Sequence, residues 1–514
     1  MRRTKTIRRI IARNALAASF FLLAAVFIRT SQPSQAAQFY QEDDALDEKV
    51  SQALLHEIEV RSPEEMIDVI VTLKDQVNLH EIPGKSKAER NRNVIERLQS
   101  RADKDQKQLR SYLEAAQKSG LAKDVQYYWI FNGIALRAEP GLIEDLARFP
   151  EVESIAIDEQ ITLPETLPLT TTVEANITAI GAPDLWALGY RGQGVVVANM
   201  DTGVNLYHPD LQQQWRGGTN SWLDVTNEHY PVPGDPLGHG TAVMGVMIGG
   251  DEGGTAIGVA PKAQWIAVKI FNKDRVSDYS WIHSAFQWLL DPDNNPSTPD
   301  APDVVNNSWT KIGTGCDLQF QPDLQALRAV GILPIFAAGN LSVLDPDGPN
   351  DFSPGNNLEA FAVGAFDDKK MLYEWSSRGP SSCDDPATIY PEITAPGVNI
   401  RSYYGELTGT SLAAPHAAGG LALLLSAFPF LPLELQEQAL IHSAEDLGEL
   451  GPDNDYGNGG LDLMAAYIWI NENYTFYKQY LPMVVNGDLQ GDFPYKIYFP
   501  IIVNEGRDEV DRNQ

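Results

Sequence analysis

The sequence predicts an α/β protein whose main part is a doubly wound, mostly parallel sheet, preceded by a small ferredoxin-like α+β region. The prediction for the main part depends on two kinds of segment that alternate along the chain. Short apolar runs suit strands that are buried on both faces, and their alternation with helices is typical of a parallel sheet. The apolar runs are 194–201, 263–271, 303–309 and 331–340, and the helical segments are 278–290 and 323–331.

The ferredoxin-like region is predicted from the segments that come before this alternation. β-branched alternation in 66–73 predicts a strand, and apolar residues at helical spacing in 87–118 predict one or two amphipathic helices. A strand pair around Asn132-Gly133, a short helix that ends at Pro150 and a last strand complete the region. Strand, helix, two strands, helix and strand is the ferredoxin-like order.

The start of the chain has the layout of a secretory signal peptide. A basic stretch precedes an apolar run from Ala15 to Ile28, and Ser34 and Ala36 follow at signal-peptidase spacing. The run is shorter than the ~20 residues that a membrane-spanning helix needs. We therefore expect a secreted, extracellular or cell-surface protein with no stable membrane span in its mature form. An uncleaved anchor is the alternative.

Changes in composition divide the chain into four parts. Residues 161–178 are rich in Thr and Pro and have no periodicity, so they predict an exposed linker. After about residue 470 the chain contains two copies of a seven-residue pattern, YLPMVVN and YFPIIVN. The predicted parts are a signal peptide at 1–36, the α+β region at 37–165, the parallel-sheet domain at 166–470 and a tail with two short repeats at 471–514.

Charge and cysteine content limit the classes of partner. The formal net charge of the 514-residue chain is -30, and an acidic surface repels phosphates, so we expect no nucleic-acid partner. Cys316 and Cys383 are the two cysteines of the sequence. In an exported chain an oxidised pair is the natural expectation, and neither cysteine has zinc-site spacing.

Two of four short motifs offer an acid and a base. Asp201 ends an apolar run and is followed by Thr-Gly, which places its carboxylate at the edge of a parallel sheet where chemistry gathers. The alternative is that Asp201 caps a turn. His239 lies between glycines at the start of an apolar helix, so its ring is reachable, although a lone histidine is more often structural. We assign structural roles to His208 and His416.

The other two motifs offer an amide donor and a hydroxyl. Asn340 follows a buried run and Gly339, and its amide cannot ionise, which suits stabilisation of an oxyanion. Ser411 lies among small residues on the first turn of a helix, where the helix dipole favours negative charge. Turn chemistry for Asn340 and simple helix capping by Ser411 are the alternatives.

The order Asp, His, Asn, Ser of these four motifs resembles that of the subtilisin family of serine peptidases. The resemblance covers about 179–469. It is strongest to bacillopeptidase F-like members, through APDVVNNSW, SSRGPS, APGVNIRS and GTSLAAPH. The resemblance implies a subtilisin-like fold, hydrolysis of peptide bonds in proteins, and no cofactor required for the chemistry. The alternative is a catalytically silent relative that binds peptides or serves as a scaffold.

The resemblance also implies roles for individual residues. Asp201 would orient the imidazole, His239 would act as general base and then acid, and Ser411 would attack to form an acyl-enzyme. Asn340 and the Ser411 backbone N–H would hold the oxyanion. Substrate-binding residues would be Ser308, Trp309 and Gly339.

Three further expectations come from the family. Residues 37–165 are similar to its propeptide, an intramolecular chaperone and inhibitor that self-processing removes by a cut within 160–178. Structural calcium is common in the family, and Asp210 stands where a ligand usually stands, while Glu252 lies in the corresponding loop. The acidic loops 291–303 and 345–351 are further candidates, with solvated loops as an equal alternative. The sequence departs from the family at Leu412, where Met is usual, and at Thr310, where Gly is usual.

Overall fold

The computed structural model describes most of the chain from residue 49 to residue 474. The described residues belong to one compact unit within Leu46–Gln514. The predicted signal peptide, Glu252 and the first tail repeat lie outside the described residues. These are 49–79, 82–84, 86–162, 174–251, 257–311, 313–340, 350–383, 388–402 and 405–474, with two backbone strands at 477–479 and 499–501.

The N-terminal region folds around a four-stranded antiparallel sheet of order β2-β3-β1-β4. Three of its helices pack on this sheet and bury leucine and isoleucine side chains. The fourth, Lys87–Asp105, buries Val94, Ile95 and Leu98 in a core that includes residues of the main domain. The observed order strand, helices, two strands, helix, strand is a split βαβ arrangement. The elements are α1 (Gln52–Val60), β1 (Ile67–Leu73), α2 (Lys87–Asp105), α3 (Lys107–Ser119), β2 (Ala122–Tyr128), β3 (Gly133–Ala138), α4 (Pro140–Ala147) and β4 (Val152–Ile157).

The main domain is built on a seven-stranded sheet of order β13-β12-β11-β10-β6-β8-β7, and its paired strands run parallel. The predicted α/β fold with a parallel sheet is therefore confirmed. Strands β7, β12 and β13 were not among the predicted strands. The seven strands are β6 (Val196–Asp201), β7 (Trp222–Asp224), β8 (Gln264–Lys269), β10 (Val304–Asn307), β11 (Leu333–Ala337), β12 (Phe361–Phe366) and β13 (Ile393–Pro396).

Helices cover both faces of this sheet, as a doubly wound fold requires. On one face α8 (His239–Ile248) and α11 (Thr410–Ala427) share a core with inward residues such as Val197 and Ile335. On the other face α9 (Tyr279–Leu290) and α10 (Gln321–Ala329) pack with residues such as Val305. The smaller elements are α5 (Ala175–Ala179), α6 (Ala182–Ala187), α7 (Pro209–Gln212), α12 (Leu433–His442), α13 (Leu463–Asn473), β14 (Ile400–Ser402), β15 (Gly405–Leu407), β16 (Tyr477–Gln479) and β17 (Phe499–Ile501).

Helix α11 is the one helix among the described residues that is long and apolar enough to cross a membrane. It is 89% buried inside the protein, and alanines and leucines from most of its length contribute to the core. Its apolar character is therefore explained by its place in the centre of the domain.

A short strand joins the N-terminal region to the main domain. Strand β5 (Gln160–Thr162) pairs antiparallel with β9 (Val276–Asp278), which directly precedes α9. The central residue of β5, Ile161, is fully buried in the core on the α9 side of the sheet. The end of the N-terminal region thus pairs with a main-domain strand in a separate two-stranded sheet. The predicted exposed linker is wrong at its described ends, where Ile161 and Ile177 are buried, and residues 163–173 lie outside the described residues.

Candidate active site

The ends of two strands and the beginnings of two helices bring the four predicted catalytic residues to one side of the main domain. Asp201 is the last residue of β6, and Asn340 is the third residue after the end of β11. His239 is the first residue of α8, and Ser411 is the second residue of α11. Parallel strands direct their carboxyl ends to the same edge of a sheet, and this edge is where we find the polar cluster.

Asp201 and His239 form a buried hydrogen-bonded pair. Asp201 Oδ1 lies 2.8 Å from His239 Nδ1 and also accepts the Thr202 N–H at 2.7 Å. Both residues are buried. Burial lowers the pKa of His239, but the charge and hydrogen bond of Asp201, helped by the charge of Asp235, outweigh it, so the net pKa is raised. A carboxylate in this position orients the ring and favours its protonated form.

The absence of a side chain at Gly240 allows the start of α8 to approach the end of β6 closely. A Cβ added to Gly240 would lie 2.1 Å from the carbonyl oxygen of Gly203 and 3.2 Å from Asp201 Oδ1. No side chain fits there without moving the carboxylate or the strand end. The glycine after His239 is therefore needed for the contact between α8 and the end of β6.

Asp235 holds the first turn of α8, a role that our sequence analysis missed. Its carboxylate accepts N–H groups from Gly238 at 2.8 Å and Thr241 at 2.8 Å, and hydroxyl groups from Thr202 and Thr241. The Thr202 hydroxyl in turn accepts the Gly240 N–H at 2.8 Å. Asp235 lies three residues before the N-cap residue Gly238, so the sequence rule for capping, which concerns the residue directly before a helix, does not identify it.

Ser411 lies on the first turn of α11, close to the start of α8. Leu412, the next residue, packs with Ala242 and Val246 of α8 in a small buried apolar cluster. In the described part of the chain the His239 ring is hydrogen-bonded to Asp201 and not to the Ser411 hydroxyl. Such catalytic hydrogen bonds are often long without substrate and shorten when it binds.

The Ser411 carbonyl has an unusual partner. In an α-helix it would accept the N–H of the residue four positions later, but that residue is Pro415, which has no N–H. The Ser308 hydroxyl donates to this carbonyl at 2.8 Å instead. Ser308, predicted to bind substrate, therefore directs its side chain to the backbone of Ser411.

A chain of buried amides extends this contact to α8. Asn306 Nδ2 donates to Ser308 Oγ at 3.0 Å and to Asn199 Oδ1 at 3.1 Å. Asn199 Nδ2 donates to the Gly240 carbonyl at 3.2 Å. We call Asn199, Asn306 and Ser308 the polar bridge, because they connect the residue after His239 to Ser411 through two central strands. Sequence analysis missed the two asparagines, which carry no local signal of this role.

Asn340 presents its amide N–H₂ group beside Ser411. Its Oδ1 accepts the backbone N–H of Thr410 at 2.8 Å and the hydroxyl of Thr410 at 3.0 Å. A Cβ built on Gly409 would lie 3.2 Å from Asn340 Nδ2 and 3.4 Å from Ser411 Oγ. The amide donor and the hydroxyl thus face the same small space, which the absence of a side chain at Gly409 keeps open.

Gly339 and Trp309, the two other predicted substrate-binding residues, have different surroundings. Gly339 has a φ of +114°, and a Cβ there would lie 2.6 Å from the Phe352 ring. Trp309 is almost fully buried and contacts the rings of Phe320 and Phe336 edge-on. Its side chain therefore belongs to the core on the α9 side of the sheet.

His208 and His416 have the structural contacts that we expected. His208 Nδ1 accepts the Asp210 N–H at 3.1 Å and caps α7. His416 Nδ1 lies 2.7 Å from the Leu412 carbonyl, and its Nε2 lies 2.8 Å from Asn176 Nδ2. Burial lowers the pKa of His416 to about 4, so this ring is neutral at physiological pH.

Two other predicted features can be located. Asp210, a predicted calcium ligand, is buried, and its carbonyl accepts the Gly250 N–H at 2.8 Å beside the loop that contains Glu252. A disulfide bond joins Cys316 and Cys383 across 67 residues. It ties the segment after β10 to the segment after β12.

Comparison with known proteins relates the chain to subtilases and serine proteases. The model of the subtilase family matches residues 192–459. Bacillopeptidase F of Bacillus subtilis (strain 168) is 39% identical over 411 residues, which are 73% of this chain and 28% of that protein. The major intracellular serine protease of the same strain is 34% identical over 49% of this chain and 74% of its own length. Subtilisin DY of Bacillus licheniformis is 32% identical over 57% of this chain and 98% of its own length.

Proposed function

The chain belongs to the subtilase family of serine peptidases, and from this premise we propose that it is a secreted endopeptidase, made as a zymogen, that cuts proteins through Asp201, His239 and Ser411. The match to Bacillopeptidase F covers only 28% of that protein, so the proposal concerns the peptidase domain and the region before it. The observation that carries it is the buried hydrogen bond of 2.8 Å between Asp201 and His239, next to the helix start that holds Ser411.

In the proposed reaction His239 removes the proton from Ser411 Oγ as this oxygen attacks the substrate carbonyl. Asp201 stabilises the imidazolium that forms, which agrees with the raised pKa of His239. Asn340 Nδ2 and the Ser411 N–H, among the first N–H groups of α11, donate to the oxyanion. His239 then protonates the leaving amine, and water hydrolyses the acyl-enzyme by the same steps in reverse. The proposed chemistry uses only side chains and backbone of this chain.

The N-terminal region is proposed to be an inhibitory propeptide. Strand β5 pairs with β9 as an extended peptide would, and Ile161 fills an apolar space of the main domain. Adding a strand to a sheet edge is a common way to bind a peptide. Asp158 accepts the Ser280 N–H at 2.9 Å, so a side chain of the N-terminal region is hydrogen-bonded to the first turn of α9. Self-cleavage is proposed to occur within 160–178.

Secretion is proposed from the layout of residues 1–36. Polypeptides are the proposed substrates, and the propeptide is the proposed intramolecular partner. Association with the cell surface through the tail is tested separately, by deleting 478–514 and measuring the enzyme in the medium and on the cells.

Expression of the full chain tests self-processing directly. The N-terminus of the mature form is sequenced beside Ser411→Ala, with Ser426→Ala as a matched control because Ser426 lies on the same helix. We expect the chain and Ser426→Ala to be cut within 160–178 and Ser411→Ala to stay uncut. Identical processing of all three would refute self-cleavage.

A serine-directed fluorophosphonate distinguishes the enzyme from a silent, peptide-binding relative. We expect the label on Ser411 in the chain and in Ser426→Ala, and none in Ser411→Ala. Absence of label from a processed, folded chain would favour the silent relative.

A further inference from the structure

We propose that Lys311 and Tyr279 form a subsite for an acidic side chain of the substrate, at the place that Glu159 occupies in this structure. The selected side chain stands two residues before the one that takes the place of Ile161. This subsite rests on the proposed function, since it specifies which polypeptides the same active site cuts best. The preferred pattern is an acidic residue, then any residue, then an apolar residue.

Strand β5 is our guide to the path of a substrate beside β9. In their antiparallel pairing Ile161 is opposite Ser277, and just before it the Tyr279 N–H donates to the Glu159 carbonyl at 3.0 Å. Backbone contacts of this kind are open to any extended peptide. A chain that cuts itself within 160–178 must first lie in its own active site as a substrate does. The residues directly before the cut therefore take the positions of substrate residues.

Two groups of the main domain hold the Glu159 carboxylate. Lys311 Nζ lies 3.0 Å from Glu159 Oε2, and the Tyr279 hydroxyl lies 3.3 Å from the same oxygen. Both groups belong to the main domain, so they remain when the N-terminal region is removed. The Lys311 side chain is 27% exposed, so it is partly shielded from water. A carboxylate that enters this place gains a charge-assisted hydrogen bond.

Asp317 keeps the subsite in shape without Glu159. Its Oδ2 lies 2.5 Å from Lys311 Nζ and accepts the Tyr279 hydroxyl at 2.9 Å. The Gln319 N–H donates to Asp317 Oδ1 at 2.9 Å. Burial lowers the pKa of Lys311, but the hydrogen bonds of Asp317 and Glu159 outweigh it, so the net pKa is raised. Lys311 is therefore a cation, and since an ammonium has three donors, Asp317 leaves donors free for a second carboxylate.

The subsite lies near the nucleophile. Lys311 is the third residue after Ser308, whose hydroxyl donates to the Ser411 carbonyl. Side chains two residues apart on an extended chain point to the same side. Ile161, two residues after Glu159, is buried in the core on the α9 side of the sheet. The acidic and the apolar side chain of a substrate thus enter the main domain from the same side.

The charge of the whole chain predicts the opposite preference. A formal net charge of -30 attracts basic peptides over long distances. At physiological ionic strength, however, exposed charges are screened beyond about 8 Å. Lys311 is in direct contact with the carboxylate. Contact therefore decides at this position, and the two views predict different orders of substrates.

The test uses the mature enzyme and three internally quenched fluorescent peptides. Each peptide carries the sequence of residues 156–178, either unchanged or with Glu159→Gln or Glu159→Lys. We measure kcat/KM for each peptide, and mass spectrometry checks that the cut falls at the same bond. Lys311→Met and Lys311→Glu are compared with the parent enzyme. Lys369→Met is the matched control, because Lys369 is an exposed lysine in the turn after β12.

We expect the parent and Lys369→Met to cut the Glu peptide with a kcat/KM about 5-fold above that of the Gln peptide, near the upper end for a partly exposed ion pair. The Lys peptide should be the slowest. The Glu-to-Gln ratio should fall to about 1 or below in Lys311→Met, invert in Lys311→Glu, and shrink in about 1 M salt. Because the ratio compares peptides on one enzyme, a general loss of stability or alignment in a variant does not change it.

Three results would overturn the subsite and leave the proposed function intact, because the peptides are still cut. They are equal values for the three peptides in the parent, a preference for the Lys peptide, and an unchanged ratio in Lys311→Met. If the parent cuts a denatured protein but none of the peptides, residues 156–178 do not take substrate positions, and the subsite alone fails. If the parent cuts neither, the proposed function fails and the subsite fails with it.

Discussion

Replacing Ser308 with alanine should slow catalysis more than it weakens substrate binding. The Ser308 hydroxyl supplies the hydrogen bond that Pro415 cannot give to the Ser411 carbonyl. It also accepts from Asn306 at 3.0 Å. Removing the hydroxyl leaves the Ser411 carbonyl without this hydrogen bond. Ser411 is both the proposed nucleophile and the residue whose N–H is proposed to donate to the oxyanion. The expected effect is therefore on alignment in the transition state.

The structure sets the size of the effect. Both hydrogen bonds are buried, since Ser308 is 2% and Asn306 is 0% exposed. A buried hydrogen bond contributes about 1 kcal/mol net, and a buried acceptor left unpaired costs about 1–3 kcal/mol. We expect the free energy of unfolding to fall by about 2 kcal/mol. A modest displacement of the nucleophile should lower kcat by about 10-fold, which corresponds to about 1.4 kcal/mol of transition-state stabilisation, with little change in KM.

The assay compares Ser308→Ala with Ser381→Ala. The Ser381 hydroxyl is also buried, donates to the Asn356 carbonyl at 2.8 Å and accepts the Cys383 N–H at 3.2 Å. Its loss should cost similar stability, and its hydrogen bonds involve neither Ser411 nor the polar bridge. Peptide hydrolysis gives kcat and KM for the mature enzymes, and urea unfolding of the fluorophosphonate-labelled enzymes gives stability.

Equal kcat values in the two variants would refute the reasoning. The polar bridge would then be a stability feature of the two central strands and would have no effect on Ser411. A fall in kcat in Ser308→Ala alone, at similar losses of stability, would support its role as a positioning residue.

Three other predictions follow from individual contacts. Burial raises the pKa of Asp158 from 3.8 to about 6, so the stability that the protonated carboxyl contributes is lost as pH rises from about 4 to about 6. In the Ser411→Ala precursor, Asp158→Asn should therefore have the same urea midpoint as the parent at pH 4 and a higher one at pH 7. An equal difference in midpoint at both pH values would contradict this. Leu412 is fully buried in an apolar cluster next to Ser411, and a methionine there would place a polar sulfoxide in that cluster once oxidised. Leu412→Met should therefore lose activity in peroxide faster than the parent, with the oxidised peptide seen by mass spectrometry, and equal rates of loss would contradict this. The Cys316–Cys383 bond closes a loop of 67 residues. Replacing both cysteines with serine should lower the free energy of unfolding by about 4 kcal/mol in a denaturant titration. A loss below about 1 kcal/mol would show that the loop stays ordered without the disulfide bond.

The parallel-sheet fold could be predicted from the sequence because its signals are local. Runs such as 303–309 are apolar throughout, as a strand buried on both faces requires, and β10 forms within that run. The start of α8 at His239 and of α11 near Ser411 also follow from glycines and small residues in the immediate sequence. Strands β7, β12 and β13 were missed because short segments in loop-rich sequence are ambiguous by periodicity alone, and β7 has only three residues.

Sequence alone determined the residue types of the candidate site and their order along the chain, because each type was marked by its immediate neighbours. Only the tertiary structure decided which atoms meet: that Asp201 Oδ1 faces the His239 ring, that Asp235 caps α8, and that the Ser308 hydroxyl replaces the missing N–H of Pro415. Side-chain direction depends on segments that are distant in sequence and packed together in space, and no local pattern records that packing.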